Sequence, residues 1–233
     1  MNAPAEPPRT LVLWDVDHTL IETRGVGRAI YDRAFPVATG KPLTNLAKIA
    51  GRTELDIMAE SLRVNGIEPT DEAVRGLAAA LVEGYEDARG ELATTGRALP
   101  GAKETLEWLA ADPTVHQGVL TGNLRAVARI KLEVFGLAPY LDFEASAYGD
   151  DHADRAELVK IARERAEAKT GSHFDNAAIV LIGDTPNDVK AALTAGVRVI
   201  AVATGKTTED ELRQAGATEV IGGLNDLPKA GQL

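Results

Sequence analysis

The sequence predicts an α/β protein, a parallel sheet covered by helices on both faces, with a small helical unit inserted after the first strand. Three observations predict it. Short apolar runs of strand length recur along the chain and alternate with amphipathic segments of helix length. The runs are apolar at consecutive positions rather than alternate ones, as strands buried on both faces require. The alternation fails only over residues 22–95, where one helical pattern follows another.

The first strand falls at residues 11–14, the run LVLW. The second covers 117–120, with Val115 before it, and the third covers 177–182. A fourth lies at 197–203 and a weaker fifth at 218–221. Between and after them, helical spacing covers 102–111, 125–135, 156–168, 188–195 and 209–215. This order gives a Rossmann-like core. The inserted stretch carries helical spacing at 29–35, 54–64 and 71–88, with Thr70 as an N-cap. Thr95-Gly96 and Leu99-Pro100-Gly101 form the return linker. The division is then a Pro-rich, disordered leader at 1–9, a core domain at 10–21 and 96–233, and a helical cap at 22–95.

The chain has 233 residues and a net charge of −10. Such a charge argues against nucleic acid or an anionic membrane as partner. It does not argue against a small anionic substrate, since one pocket can be positive within a negative whole. There is no cysteine, so disulfides, thiolate nucleophiles and zinc–sulfur sites are excluded. No run approaches the roughly 18 apolar residues of a membrane span, and the first residues lack a signal-peptide core. A cytoplasmic monomer or homodimer is expected.

Four short pieces stand directly after apolar runs or at a helix start. They are Asp15-Val16-Asp17-His18-Thr19, Thr121-Gly122-Asn123, Arg155 and Gly183-Asp184-Thr185-Pro186-Asn187-Asp188. Each alone reads as a turn or a helix cap. In open α/β sheets, however, ligands bind beyond the carboxyl ends of the strands, and neighbouring strands would bring all four to one rim. A carboxylate there can attack phosphorus and form an aspartyl phosphate. Two anions must then be held together, which magnesium does with oxygen ligands. Asp15 and Asp184 are natural ligands, with a backbone carbonyl near Asp17. Thr121 and the amides of Gly122 and Asn123 can donate to phosphate oxygens, and Arg155 adds positive charge.

With these motifs in this order, the chain resembles the haloacid dehalogenase superfamily, in the group of phosphatases with a helical cap after the first strand. The resemblance runs from about residue 10 onward. It implies Asp15 as nucleophile and Asp17 as the group that protonates the leaving oxygen and then activates water. It implies Thr121 and Arg155 as phosphoryl-binding groups, and Asp184 as the magnesium ligand. Asp188 would support the metal or orient Arg155. The cation of the third motif is most often lysine, and Lys160 rivals Arg155 for the role. His18 stands where a glycine is usual, and Val16 where a phenylalanine is usual.

Arg24, beside Gly25 and Gly27, and Arg52, in Gly51-Arg52-Thr53-Glu54, stand where related caps contact substrate. A solvated surface arginine is the plainer reading of each. Trp14 and Trp108 read as core or packing residues. The function expected is magnesium-dependent hydrolysis of a small phosphate monoester of the phosphoglycolate type. A phosphosugar mutase would use the same aspartyl phosphate. Dehalogenation is disfavoured, because it needs neither Asp17 nor Asp184. A receiver-like signalling domain is the reading from another class. It would be about half this length and would carry its acceptor on a middle strand.

Overall fold

A computed structural model describes residues 9–49 and 51–227. Strand β1 (Thr10–Trp14) opens the sheet and is followed by the two-residue β2 (Ile21–Glu22). The chain then passes through α1 (Val26–Thr39), α2 (Glu54–Val64), α3 (Asp71–Asp87) and α4 (Arg89–Thr95), and returns at β3 (Arg97–Ala98). β2 and β3 pair antiparallel, Ile21 opposite Ala98 and Glu22 opposite Arg97, so the outgoing and returning segments lie side by side. Strands and helices follow as α5 (Ala102–Ala110), β4 (Val115–Val119), α6 (Arg125–Val134), α7 (Arg155–Thr170) and β5 (Ile179–Gly183). The last are α8 (Pro186–Ala195), β6 (Arg198–Val202), α9 (Glu209–Gln214) and β7 (Glu219–Ile221).

The strand order is β4-β1-β5-β6-β7, and every pairing is parallel. β1 is flanked by β4 on one side and β5 on the other. The chain order therefore reverses at β1, and the crevice beyond its carboxyl end is the expected ligand site. Alternate residues of β1 feed opposite faces. Leu11 and Leu13 pack with α7 and α8, through Leu158, Val159, Ala162, Val189 and Ala192. Val12 and Trp14 pack with α5 and α6, through Leu106, Leu109, Ala128 and Leu132. Both faces of the strand are apolar because both are covered.

A third apolar cluster joins α1, α2, α3 and α4 through Ile30, Phe35, Ile57, Met58, Leu62, Leu77, Leu81 and Leu92. It also takes in Leu124, Val127 and Ile130. Helix α6 is thus covered twice, by the sheet on one side and by this helical layer on the other.

The five expected strands are present, each shifted at its ends by two residues or fewer. The structure adds α4 and the β2–β3 ribbon, and it extends the first cap helix to Val26–Thr39 despite Pro36 inside it. Thr70 caps α3, its hydroxyl accepting from the Ala73 amide at 3.2 Å. Trp14 is fully buried, whereas Trp108 is 37% exposed and is not a core residue. Of the expected leader, residues 1–8 lie outside the described residues, and the Arg9 amide donates to the Thr114 carbonyl at 2.7 Å. Among the described residues, no helix is long and apolar enough to cross a membrane.

Candidate active site

Asp15 leaves β1 while still in sheet register, its amide donating to the Ile182 carbonyl at 2.9 Å. The chain then turns sharply. His18 adopts a left-handed conformation, φ 63°, its amide donating to Ile21 O at 2.7 Å and its carbonyl accepting from the Thr204 hydroxyl at 2.5 Å. Glycine is the easy residue for such a backbone, so the histidine carries strain that the surrounding bonds hold in place. The turn aims Thr19 back at Asp15, hydroxyl to Oδ2 at 3.4 Å.

Asp184 follows β5, next in the sheet to β1. Thr185 N-caps α8, with Pro186 in the first turn and a reciprocal bond pair between Thr185 and Asp188. The cap occupies Asp188 Oδ2 and leaves Oδ1 facing Arg155, at 2.5 Å from a guanidinium nitrogen. The same guanidinium donates to Asp15 Oδ1 at 2.7 Å. Arg155 enters from the N-terminus of α7 and is only 8% exposed. Lys160, one turn further on, is exposed.

Asp15, Asp184 and Asp188 offer oxygens that all lie within 4.8 Å of one another. One guanidinium faces these three buried carboxyls. Burial raises Asp15 to about 7, with the charge of Asp188 adding to it and Arg155 opposing. Burial raises Asp184 to about 8, with the charges of Asp15 and Asp188 adding to it. Asp184 Oδ1 is buried and has no hydrogen-bond partner among the described residues. The cluster is short of positive charge, and its donors are all hard oxygens, which fits a magnesium ion. Asp15 and Asp184 would hold such an ion, which would supply positive charge beside an incoming phosphate.

The carboxylate of Asp17 is not part of this cluster. It receives two bonds from Lys131 Nζ, at 2.7 and 3.0 Å, and one from Asn123 Nδ2 at 2.7 Å. Burial acts to raise its pKa, but the charge of Lys131 and these bonds outweigh burial and hold it below the usual aspartate value. Of the four expected metal ligands, the structure brings together the carboxylates of Asp15, Asp184 and Asp188, while Asp17 has only its backbone carbonyl left for that role.

Thr121 follows β4 by two residues, and its buried hydroxyl accepts from Asn123 Nδ2 at 2.8 Å. Helix α2 begins directly above this loop. The Glu54 amide donates to the Gly122 carbonyl at 2.7 Å, and Asn187 Nδ2 donates to Gly51 O at 2.8 Å. A Cβ on Gly122 would stand 2.1 Å from the Arg52 carbonyl, so only glycine admits this approach. The segment Gly51-Arg52-Thr53-Glu54 is thereby closed down on the strand ends.

The structure does not bring Arg24 or Arg52 to the carboxylate cluster. Arg24 pairs with Glu22 at 3.4 Å and Arg52 with Asp56 at 2.6 Å. The side chains that the segment does send inward are Thr53, which is 2% exposed, and Glu54, which accepts from the Tyr31 hydroxyl. Sequence reasoning missed Glu54, Tyr31 and, above all, Lys131, which is 3% exposed. One signal for Lys131 was available. It lies four residues after Val127 and three after Ala128, on the buried side of an amphipathic helix.

The chain belongs to the haloacid dehalogenase-like hydrolase family, which it matches over residues 12–193. It is 27% identical to the plasmid phosphoglycolate phosphatase of Cupriavidus necator over 95% of this chain and 92% of that one. It is 26% identical to the phosphoglycolate phosphatase of Agrobacterium fabrum, over 87% of this chain and 84% of that one. Among solved structures, a hydrolase from Pseudomonas syringae superposes with a TM-score of 0.69 at 24% identity, covering 94% of this chain and 96% of that one. A Bacteroides vulgatus chain provisionally called a beta-phosphoglucomutase superposes with a TM-score of 0.65 at 19% identity, covering 94% and 86%.

Proposed function

We propose that this hydrolase is a magnesium-dependent phosphatase of small phosphate monoesters of the phosphoglycolate type, working through an aspartyl phosphate on Asp15. The observation that carries the reading is the setting of Asp15. It stands at the point where the sheet order reverses, 2.7 Å from the buried Arg155 and within one carboxylate cluster with Asp184. The similarity to named phosphoglycolate phosphatases supports the substrate type.

In the first step, a carboxylate oxygen of Asp15 attacks phosphorus and the ester P–O bond breaks. Lys131 holds Asp17 ionised in the free protein, so Asp17 takes up a proton as the phosphate dianion binds beside it and then gives that proton to the leaving oxygen. In the second, water attacks phosphorus, gives a proton to Asp17, and the bond to Asp15 breaks to release inorganic phosphate. Thr121, the amides of Gly122 and Asn123, and Arg155 hold the phosphoryl oxygens. Most of the work is positioning and charge stabilisation. Magnesium, when bound at Asp15 and Asp184, supplies the charge that lets two anions meet.

Asp188 fixes Arg155 and the first turn of α8, and it serves the site through them. Residues 22–95 act as the cap. The Glu54 amide bonds the Gly122 carbonyl, so the start of α2 meets the loop after β4 directly, and a cap held this close supports a preference for small metabolites.

The test is phosphate release from a panel of monoesters with magnesium, for the native protein and for Asp15→Asn. The native protein turns over two- and three-carbon phosphates, and the folded variant retains less than about 1% of that rate, since an amide is not a nucleophile. A folded Asp15→Asn protein with substantial turnover refutes the reading. So does full activity after exhaustive chelation.

A further inference from the structure

Lys131 has no part in the reaction as set out above, yet it is among the most enclosed charges in the molecule. It lies on α6 between the sheet and the helical layer, 3% exposed. A lysine is almost never so buried without partners, because desolvating the ammonium costs several kcal/mol. Its partners are specific. Nζ donates to both oxygens of Asp17, at 2.7 and 3.0 Å, and to Asn123 Oδ1 at 2.7 Å. The Asn123 amide nitrogen returns to Asp17 Oδ2 at 2.7 Å, which closes a ring of three side chains. The ammonium also stands over the Tyr85 ring, 5.2 Å from its centroid, and Tyr85 belongs to α3 of the helical layer. Asp17 itself sits on a loop, with a side chain 34% exposed. Among the described residues, the hydrogen bonds that orient its carboxylate come from Lys131 and Asn123.

We infer that Lys131 is the positioning residue for Asp17, holding that carboxyl at the leaving-group side of Asp15 and tying it through Tyr85 to the helical layer. The inference rests on the phosphatase reading, in which Asp17 serves the leaving oxygen. Lys131 touches no reacting atom. Its effect is to keep Asp17 within hydrogen-bond reach of the ester oxygen, where a small displacement is costly. Docking of the helical layer then becomes part of the proton-transfer apparatus, because Tyr85 packs against the cation that orients Asp17.

The test is leaving-group dependence. An alkyl phosphate needs its leaving oxygen protonated, whereas 4-nitrophenyl phosphate has a good leaving group and needs little help. Lys131→Met keeps the length and apolar stem of the side chain and removes the charge. Thermal melting first confirms that the variant folds. The expected result is a fall in kcat/KM of about 100-fold on phosphoglycolate, within the range of general acid catalysis, and only a few-fold on 4-nitrophenyl phosphate. Should Lys131→Met not fold, Lys131→Arg replaces it. The arginine keeps the charge but cannot place the same point donor, and the same selective loss, smaller in size, is expected.

Equal losses on both esters, or no loss, in the folded variant overturn the inference. Asp17→Asn, assayed in parallel, separates this failure from failure of the phosphatase reading. If Asp17→Asn also leaves alkyl phosphate turnover intact, the role given to Asp17 is wrong. If Asp17→Asn is selectively impaired while the Lys131 variant is not, only the inference about Lys131 fails. Adding Lys131→Met to Asp17→Asn costs nothing further on phosphoglycolate if the lysine acts through Asp17.

Discussion

Replacing Arg155 with alanine removes the one guanidinium that, among the described residues, pairs with Asp15 and Asp188, at 2.7 and 2.5 Å. What remains is a group of carboxyls confined within 4.8 Å of one another and nearly closed to water. Breaking a buried ion pair by deleting one partner costs about 3–5 kcal/mol, because the other charge stays buried. For a chain of this size that corresponds to a fall in Tm on the order of 10 °C. The loss should be smaller at pH 6 than at pH 8, since the stranded carboxyls can take up protons at the lower pH. Turnover should fall about 100- to 1000-fold, the usual effect of deleting a preorganised group at a developing charge. Lys160→Ala is the control. That lysine is exposed, and its loss should change stability by no more than about 0.5 kcal/mol and leave turnover near native. The assays are thermal melts of the metal-free protein at both pH values and phosphate release with magnesium. Equal effects of the two substitutions, or a larger effect at Lys160, would refute the assignment of the positive charge to Arg155.

The raised pKa values of Asp184, about 8, and Asp15, about 7, mean that their protons must leave before a cation binds, so apparent magnesium affinity should rise roughly tenfold from pH 7 to pH 8 and more steeply from pH 6 to pH 7, read by calorimetry. The shift at Asp184 makes the folded, metal-free protein hold a proton that the unfolded chain has lost, so its stability should decline as pH rises from about 4 to about 8. His18→Gly should raise stability by up to about 1 kcal/mol in denaturant titrations, because relief of about 1–2 kcal/mol of left-handed strain exceeds the added chain entropy. Thr70→Ala should cost about 1 kcal/mol in the same titrations through loss of the α3 cap.

The sheet was legible because β1 and β5 are apolar on both faces, and that pattern depends only on neighbouring residues. The carboxylate cluster was legible for a related reason. Asp15 and Asp184 follow strands that pair in the sheet, so chain order alone predicts their proximity. Short elements were not legible. Seven residues of α4 and two each of β2 and β3 are too few for a period to show, and packing and pairing hold them. Lys131 escaped because its burial needs a second layer over α6, supplied by α3 and α4 from far along the chain. In the cap segment, local sequence drew attention to Arg52. The fold instead satisfies Arg52 with Asp56, one turn along α2, and sends Glu54 inward.

The claim that most needs direct proof is covalent chemistry at Asp15. Acid quenching of the native protein during turnover of phosphoglycolate, followed by borohydride reduction and peptide mass spectrometry, reads it at single-residue resolution. An aspartyl phosphate on Asp15 is reduced to homoserine at position 15, and the Asp15→Asn protein gives none. Steady turnover with no reduced residue, or with homoserine at Asp17, Asp184 or Asp188 instead, would contradict the mechanism.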